Sequence, residues 1–104
     1  MQPETISAQC KALAHPVRVR IIELLACQAE CRGADVFGEL PLAQSTISQH
    51  LRILKDAGLI RSRAAGTSMV YCLDPDALDA LGEALTGIAE NAAASGSNEG
   101  GVCR

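Results

Sequence analysis

The sequence predicts a mainly α-helical fold with one small β-hairpin, in the order helix, helix, helix, turn, helix, hairpin, helix. Three observations lead there. Apolar residues recur at spacings of three and four over most of the chain, as one face of a helix requires. Proline and glycine punctuate those stretches where helices begin and end. Between residues 59 and 73 two short runs flank Ala65-Gly66-Thr67, and a glycine-containing turn between such runs reads as a hairpin.

In chain order, residues 5–14 form a short helix whose Ile6, Cys10 and Leu13 make one apolar stripe. His15-Pro16 stops it, because a residue before proline is pushed out of the helical region. Pro16 then suits the first position of a helix over 16–29, with His15 as its expected cap. That helix is expected to bury Val17, Ile21, Leu24 and Leu25 and to turn Arg18, Arg20 and Glu23 towards its other side. Gly33 precedes a short helix over 34–40, and Pro41-Leu42 makes the turn. A helix over 43–57 is the clearest element: Ile47, Leu51 and Leu54 form its apolar stripe, and Gly58 ends it. Strands follow over 59–64 and 68–73, with Val70 and Cys72 on one face and Met69, Tyr71 and Leu73 on the other. Pro75 opens a last helix to residue 93, whose Leu78, Leu81, Leu85, Ile88 and Ala92 alternate spacings of three and four. Such a narrow seam suits helix–helix pairing.

At 104 residues the chain is one domain, expected over 1–93, with a flexible Gly/Ser-rich tail over 94–104. One Phe, one Tyr and no Trp leave a small aliphatic core, marginal by itself, and so point to self-association. No apolar run approaches the ~20 residues that span a bilayer, and Met-Gln-Pro-Glu is no secretory leader. We therefore expect a cytoplasmic protein with no membrane partner and reduced thiols. A net charge of −3 argues against nucleic acid only until it is divided. Residues 44–66 carry +3 from Arg52, Lys55, Arg61, Arg63 and Asp56, whereas residues 67–104 carry −5. Sign asymmetry of this kind marks a basic face on an acidic chain.

The chemistry centres on residues 43–55. A helix that enters a DNA major groove keeps one apolar face on its domain and presents small, amide and cationic side chains on the other. Ser45, Thr46, Ser48, Gln49 and Arg52 supply that face; Gln44 suits a bidentate contact to adenine, and Arg52 suits guanine or phosphate. Lys55 extends the same face, while Arg61 and Arg63 on the next strand suit the DNA backbone or minor groove. His50, at the edge of the buried stripe, is a candidate phosphate contact. With helices added at both ends, the element order is that of a winged helix-turn-helix.

Three segments then resemble the ArsR/SmtB family of bacterial metal-responsive repressors. They are Ala14-His15-Pro16-Val17-Arg18-Val19-Arg20-Ile21-Ile22, Leu42-Ala43-Gln44-Ser45-Thr46-Ile47-Ser48-Gln49-His50-Leu51, and Leu54-Lys55-Asp56-Ala57-Gly58-Leu59-Ile60. The resemblance covers about residues 5–90. It implies double-stranded operator DNA as partner, and release from it when an inducer binds. It also implies a homodimer through the first and last helices, with Ile6, Cys10, Leu13, Leu78, Leu81, Leu85 and Ile88 at the interface.

Two departures from the family pattern bear on function. Ala43 stands where the family usually has a capping Ser at the start of the recognition helix. The inducer site also differs. Family zinc sensors use His and carboxylates on the last helix, which here offers only Asp76, Asp79 and Glu83, poor company for zinc. Arsenic sensors carry Cys-Val-Cys-Asp-Leu-Cys before the turn, where this chain has Cys31-Arg32-Gly33-Ala34-Asp35-Val36-Phe37 with one thiol.

Trivalent arsenic, As(III), is soft and prefers three thiolates, so other cysteines must complete a site. Cys27 and Cys31 would share a helical face if the helix extends, and Cys31 lies beside Arg32 near a helix start that favours thiolate. Cys103 sits on a tail of about ten residues with a reach of ~17 Å, and Cys72 lies in the hairpin. Cys31, Cys27, Cys103 and Cys72 are therefore the expected ligands of As(III) or a related soft metalloid, with Cys10 on the apolar stripe. The alternatives are a thiol-based redox or persulfide switch on the same fold, and a winged-helix protein-interaction module. A thiol enzyme lacks a Cys–His pair at a usable position.

Overall fold

The computed structural model describes residues 1–27 and 31–95, apart from the side chains of Cys31, Arg32 and Ala34. The elements are α1 (Pro3–Leu13), α2 (Pro16–Ala26), β1 (Cys31–Arg32), α3 (Gly33–Glu39), α4 (Gln44–Asp56), β2 (Ile60–Ala65), β3 (Ser68–Leu73) and α5 (Pro75–Ala94). Among them no helix is long and apolar enough to cross a membrane. The expected mainly helical architecture with a hairpin wing is present, with several boundaries shifted by one to three residues. The first helix starts at Pro3, with Thr5 and Ile6 N–H donating to the Gln2 carbonyl. The second closes at Ala26, where the Cys27 N–H donates to Leu24 and Leu25, so it does not carry Cys27 and Cys31 on one face. Instead, Cys31 belongs to β1, an unexpected strand that pairs antiparallel with β3 and completes a three-stranded sheet in the order β1-β3-β2. A strand of two residues has no period to betray it; pairing with β3 creates it. The last helix continues to Ala94, and residues 96–104, with Cys103, lie outside the described residues.

The core forms where α2, α3, α4 and the base of the wing meet. Ile21 and Leu25 of α2, Val36 of α3, and Ile47, Leu51 and Leu54 of α4 pack with Leu59 and Ile60 as the most buried side chains. Ala12 of α1 closes one side of this cluster. The helix α1 is rotated from the expected stripe: Gln9 and Ala12 face inward, Ile6 and Leu13 are half-buried, and Cys10 is exposed. A stripe drawn from hydrophobicity alone cannot foresee that a glutamine is the residue turned in.

Two glycines set the geometry around α4 and the wing. Gly58, at φ 79°, closes α4: its N–H donates to Lys55 at 2.9 Å and the Leu59 N–H to Leu54 at 3.1 Å. This doubly bonded cap needs a left-handed residue at that position. It also drops Leu59 and Ile60 directly into the core. Gly66, at φ 64°, occupies the first place of the two-residue loop between the paired Ala65 and Ser68, as a tight hairpin turn demands.

Leu54→Ala is expected to destabilise the domain by about 2–5 kcal/mol, because a fully enclosed leucine loses its contacts and leaves a cavity. Urea unfolding followed by circular dichroism measures this; a loss under about 0.5 kcal/mol, the range of a surface substitution, would show that α4 is not anchored through this stripe.

Candidate nucleic-acid interface

Anchoring α4 by Ile47, Leu51 and Leu54 decides which face remains outside. Gln44, Ser45, Ser48, Gln49, Arg52 and Lys55 are exposed, and Thr46 is half-buried. All the α4 residues expected to meet DNA except Thr46 therefore lie open on the surface. The helix begins at Ala43, whose φ −62° and ψ 144° are those of a capping residue, but no side chain bonds the first turn.

The wing lies alongside α4. Gly33, Phe37, Gln44, Ser48, Thr67, Ser68, Met69 and Tyr71 line a cleft of about 560 Å³ between α3, the start of α4 and the wing turn. A second cleft, of about 380 Å³, runs on between Leu51, Arg52, Lys55 and Asp56 of α4 and Ser62, Met69 and Tyr71 of the wing. Ser62 is paired with Tyr71, so that face of the hairpin looks at α4. Strand alternation places Arg61 and Arg63 on the reverse face. The four cations expected to act together therefore fall into two sets, Arg52 and Lys55 beside the cleft and Arg61 and Arg63 behind it. The sequence alone could not separate them, because the side of the hairpin that meets α4 is a tertiary fact.

Arg52 and Arg61 each stand near a carboxylate. Arg52 Nε is 3.9 Å from Asp56 Oδ2, with both side chains largely exposed. Such an i,i+4 pair contributes little and leaves Arg52 available to phosphate. Arg61 Nε lies 4.0 Å from Asp74 Oδ2. Asp74 is also built into the frame: its Oδ1 accepts from the Ala77 N–H at 3.2 Å, capping α5, and its own N–H donates to Leu59 at 2.9 Å. One carboxylate thus ties the wing to the start of α5, a role legible in Asp74-Pro75 as a cap followed by proline.

The other end of α5 is uncovered. Leu81 is buried and Leu78 half-buried within the protomer, while Leu85 and Ile88 are 47% and 60% exposed. The expected interface stripe is therefore divided, its first half packed inside the chain and its second half open. Arg18, expected on the solvent side of α2, is instead drawn inward to α1 and to His50.

The described thiols sit on three elements: Cys10 exposed on α1, Cys27 exposed at the end of α2, and Cys72 half-buried on β3. Among the described residues no three His, Cys, Asp or Glu side chains gather as a metal site. The register pairs Cys31 with Tyr71. The Cys31 side chain and Cys103 lie outside the described residues, so of the expected ligands only Cys27 and Cys72 have described thiols.

A family model described as bacterial regulatory protein, arsR family, matches residues 15–62, the span from the α2 cap to the wing. A Staphylococcus xylosus arsenical resistance operon repressor is 31% identical over 85 residues, covering 82% of this chain and 81% of that protein. The chain belongs to the arsR family. A helix-turn-helix-type transcriptional regulator of Mycobacterium tuberculosis is 44% identical over 71 residues, 68% of this chain and 65% of that protein. The matched segment thus spans just under two thirds of the length of the first curated relatives. Among solved structures, this arsR-family fold superposes on the homodimeric winged helix-turn-helix DNA-binding domain of a possible ArsR-family regulator from Mycobacterium bovis. The TM-score is 0.68 at 26% identity, covering 88% of this chain and 83% of that one.

The unassisted start of α4 generates a prediction. Ala43→Ser, in a backbone already shaped for a cap, is expected to stabilise the fold by about 0.5–2 kcal/mol, raising Tm in a calorimetric scan. An unchanged or lower Tm would mean that the first turn is satisfied in another way.

Proposed function

We propose that this protein is a homodimeric transcriptional repressor that holds operator DNA with α4 of each protomer and lets go when a thiophilic inducer binds. The observation that carries the reading is the division of α4 into a buried Ile47–Leu51–Leu54 stripe and an exposed Gln44, Ser45, Ser48, Gln49, Arg52, Lys55 face. Small and amide side chains reach base edges, Gln44 being suited to adenine. Arg52 and Lys55 meet phosphate, and Arg61 and Arg63 extend the cationic surface along the wing. The open Leu85 and Ile88 of α5, with Ile6 and Cys10 of α1, are the surface for a second copy. Dimerisation sets two α4 helices one DNA turn, about 34 Å, apart.

The inducer we propose is As(III) or a related soft metalloid, held by cysteine thiolates. Cys31, Cys27, Cys72 and Cys103 are the candidates, with Cys103 brought to the others by the chain's own C-terminal segment or by that of a second protomer. The name of the Staphylococcus xylosus relative supports this choice, as do five cysteines in a chain of this length. Displacing the two α4 helices from their DNA spacing needs only a coupling of about 1–3 kcal/mol, enough for a 5–150-fold change in affinity. The distribution of Cys10, Cys27 and Cys72 over separate elements favours a second reading, in which the same repressor is switched by peroxide or persulfide at single thiols. Mass spectrometry after peroxide, set against bound arsenite, separates the two.

Arg52→Ala is expected to weaken binding to the protein's own promoter at least about tenfold, with the dimer intact by sedimentation; unchanged affinity would remove α4 from the groove. Affinity of the unaltered protein should fall with salt by about 0.9 log units per phosphate contact per decade. Single Cys→Ser variants should abolish arsenite-induced release wherever a ligand is lost. Release that survives in all of them would overturn thiolate ligation.

A further inference from the structure

At the corner where α1 ends and α2 begins, one side chain touches three elements. Arg18 of α2 donates through Nε to the Ala12 carbonyl at 2.6 Å and through Nη2 to the Lys11 carbonyl at 3.5 Å, both in the last turn of α1. Its Nη1 reaches Nδ1 of His50, on α4, at 3.3 Å. Arginine has no acceptor atom, so His50 must offer a lone pair at Nδ1 and stand neutral with its proton on Nε2. The His15 ring lies 4.6 Å from that of His50, and its own Nδ1 accepts from the Val17 N–H at the start of α2. The surface expected to take a second copy and the surface expected to take DNA are thus joined by one planar fork.

We propose that Arg18 and His50 are positioning residues for DNA binding: the Arg18 fork, gripping the end of α1 and the neutral His50 ring together, fixes the angle of α4 against the dimerisation helix. The proposal rests on the repressor reading above and adds to it how the helix in the groove is held. His50 touches DNA in neither state; it acts through the orientation of α4. Lysine cannot replace Arg18, since a point charge cannot reach two carbonyls of α1 and a ring nitrogen of α4 in one plane.

The grip has a pH dependence of definite sign. The titratable and charged groups facing His50 are Arg18 from α2 and His15 from its cap, while α1 contributes backbone carbonyls to Arg18. Burial first, then the charges of His15 and Arg18, hold the His50 imidazole below its ordinary value of 6.5. A proton on Nδ1 removes the acceptor and sets a cation against the guanidinium. The held orientation is therefore complete above about pH 6.5 and is lost as the pH falls below it.

The test is fluorescence anisotropy of the full chain on its own promoter duplex at about pH 7.5 and about pH 5.5, with His50→Asn alongside. Asparagine places a carbonyl oxygen where Nδ1 stands and does not titrate. The unaltered protein should lose affinity on acidification, within the tenfold per pH unit that one proton allows. His50→Asn should bind with an affinity that no longer falls between the two pH values. Arg18→Lys should lose affinity at about pH 7.5 with the dimer unchanged. Affinity that rises in acid would make His50 a direct phosphate contact and overturn the proposal, as would an equal fall in His50→Asn. If His50→Asn does not fold, the His50 ring followed by NMR decides. Its midpoint should rise in Arg18→Lys, and an unmoved midpoint overturns the proposal. Indifference to duplex at every pH would instead remove the repressor reading itself.

Discussion

The structure depends on the burial of one stripe, Ile47, Leu51 and Leu54, against α2, α3 and the base of the wing. Each of these side chains is at most 2% exposed. Enclosing a leucine or isoleucine contributes about 1.5–3 kcal/mol, so three of them hold α4 against any rotation that would bring polar residues inward. With the apolar face fixed, the opposite face has no freedom either. Gln44, Ser48, Arg52 and Lys55 face outward because the stripe faces inward, and the clefts beside the wing follow from where Leu59 and Ile60 enter the core.

From that anchor the molecule extends in two directions. The Gly58 cap turns the chain into the wing, whose Ser62, Met69 and Tyr71 look at α4 and whose Arg61 and Arg63 look away. Asp74 then ends the wing and starts α5, using its backbone and both carboxylate oxygens. On the other side, α1 closes the core with Ala12 while leaving Cys10 open. The protomer is thus an arsR-family winged helix-turn-helix with helices at both ends, the last of which leaves apolar surface open at Leu85 and Ile88.

Much of this was legible in the residues. Period-three-and-four apolar spacing located four of the five helices within two or three residues, and Gly58, Gly66 and Pro75 marked the turns because each has a backbone requirement no other residue meets as cheaply. His15 before Pro16 announced a cap, and it is one. What escaped was long-range: β1 has too few residues for a period and exists through pairing with β3. Gln9 turns inward although it is polar, Arg18 is recruited by α1 and α4, and Leu81 is claimed by its own protomer. The division of the wing cations into two faces belongs to the same class, for alternation along a strand says which residues share a face but not which face meets α4. The proposed thiol ligands were the least legible, since thiols that act together are gathered by tertiary or quaternary contacts that leave no spacing in the chain.

The central claim, that paired α4 helices lie in successive major-groove turns, is tested most directly by hydroxyl-radical footprinting of the protein on its own promoter, with the stoichiometry measured by sedimentation. The account predicts two protected tracts on one face of the duplex, about 10–10.5 base pairs apart centre to centre, with two protomers bound. A single protomer on the duplex, or cleavage unaltered along its length at low salt, would contradict it.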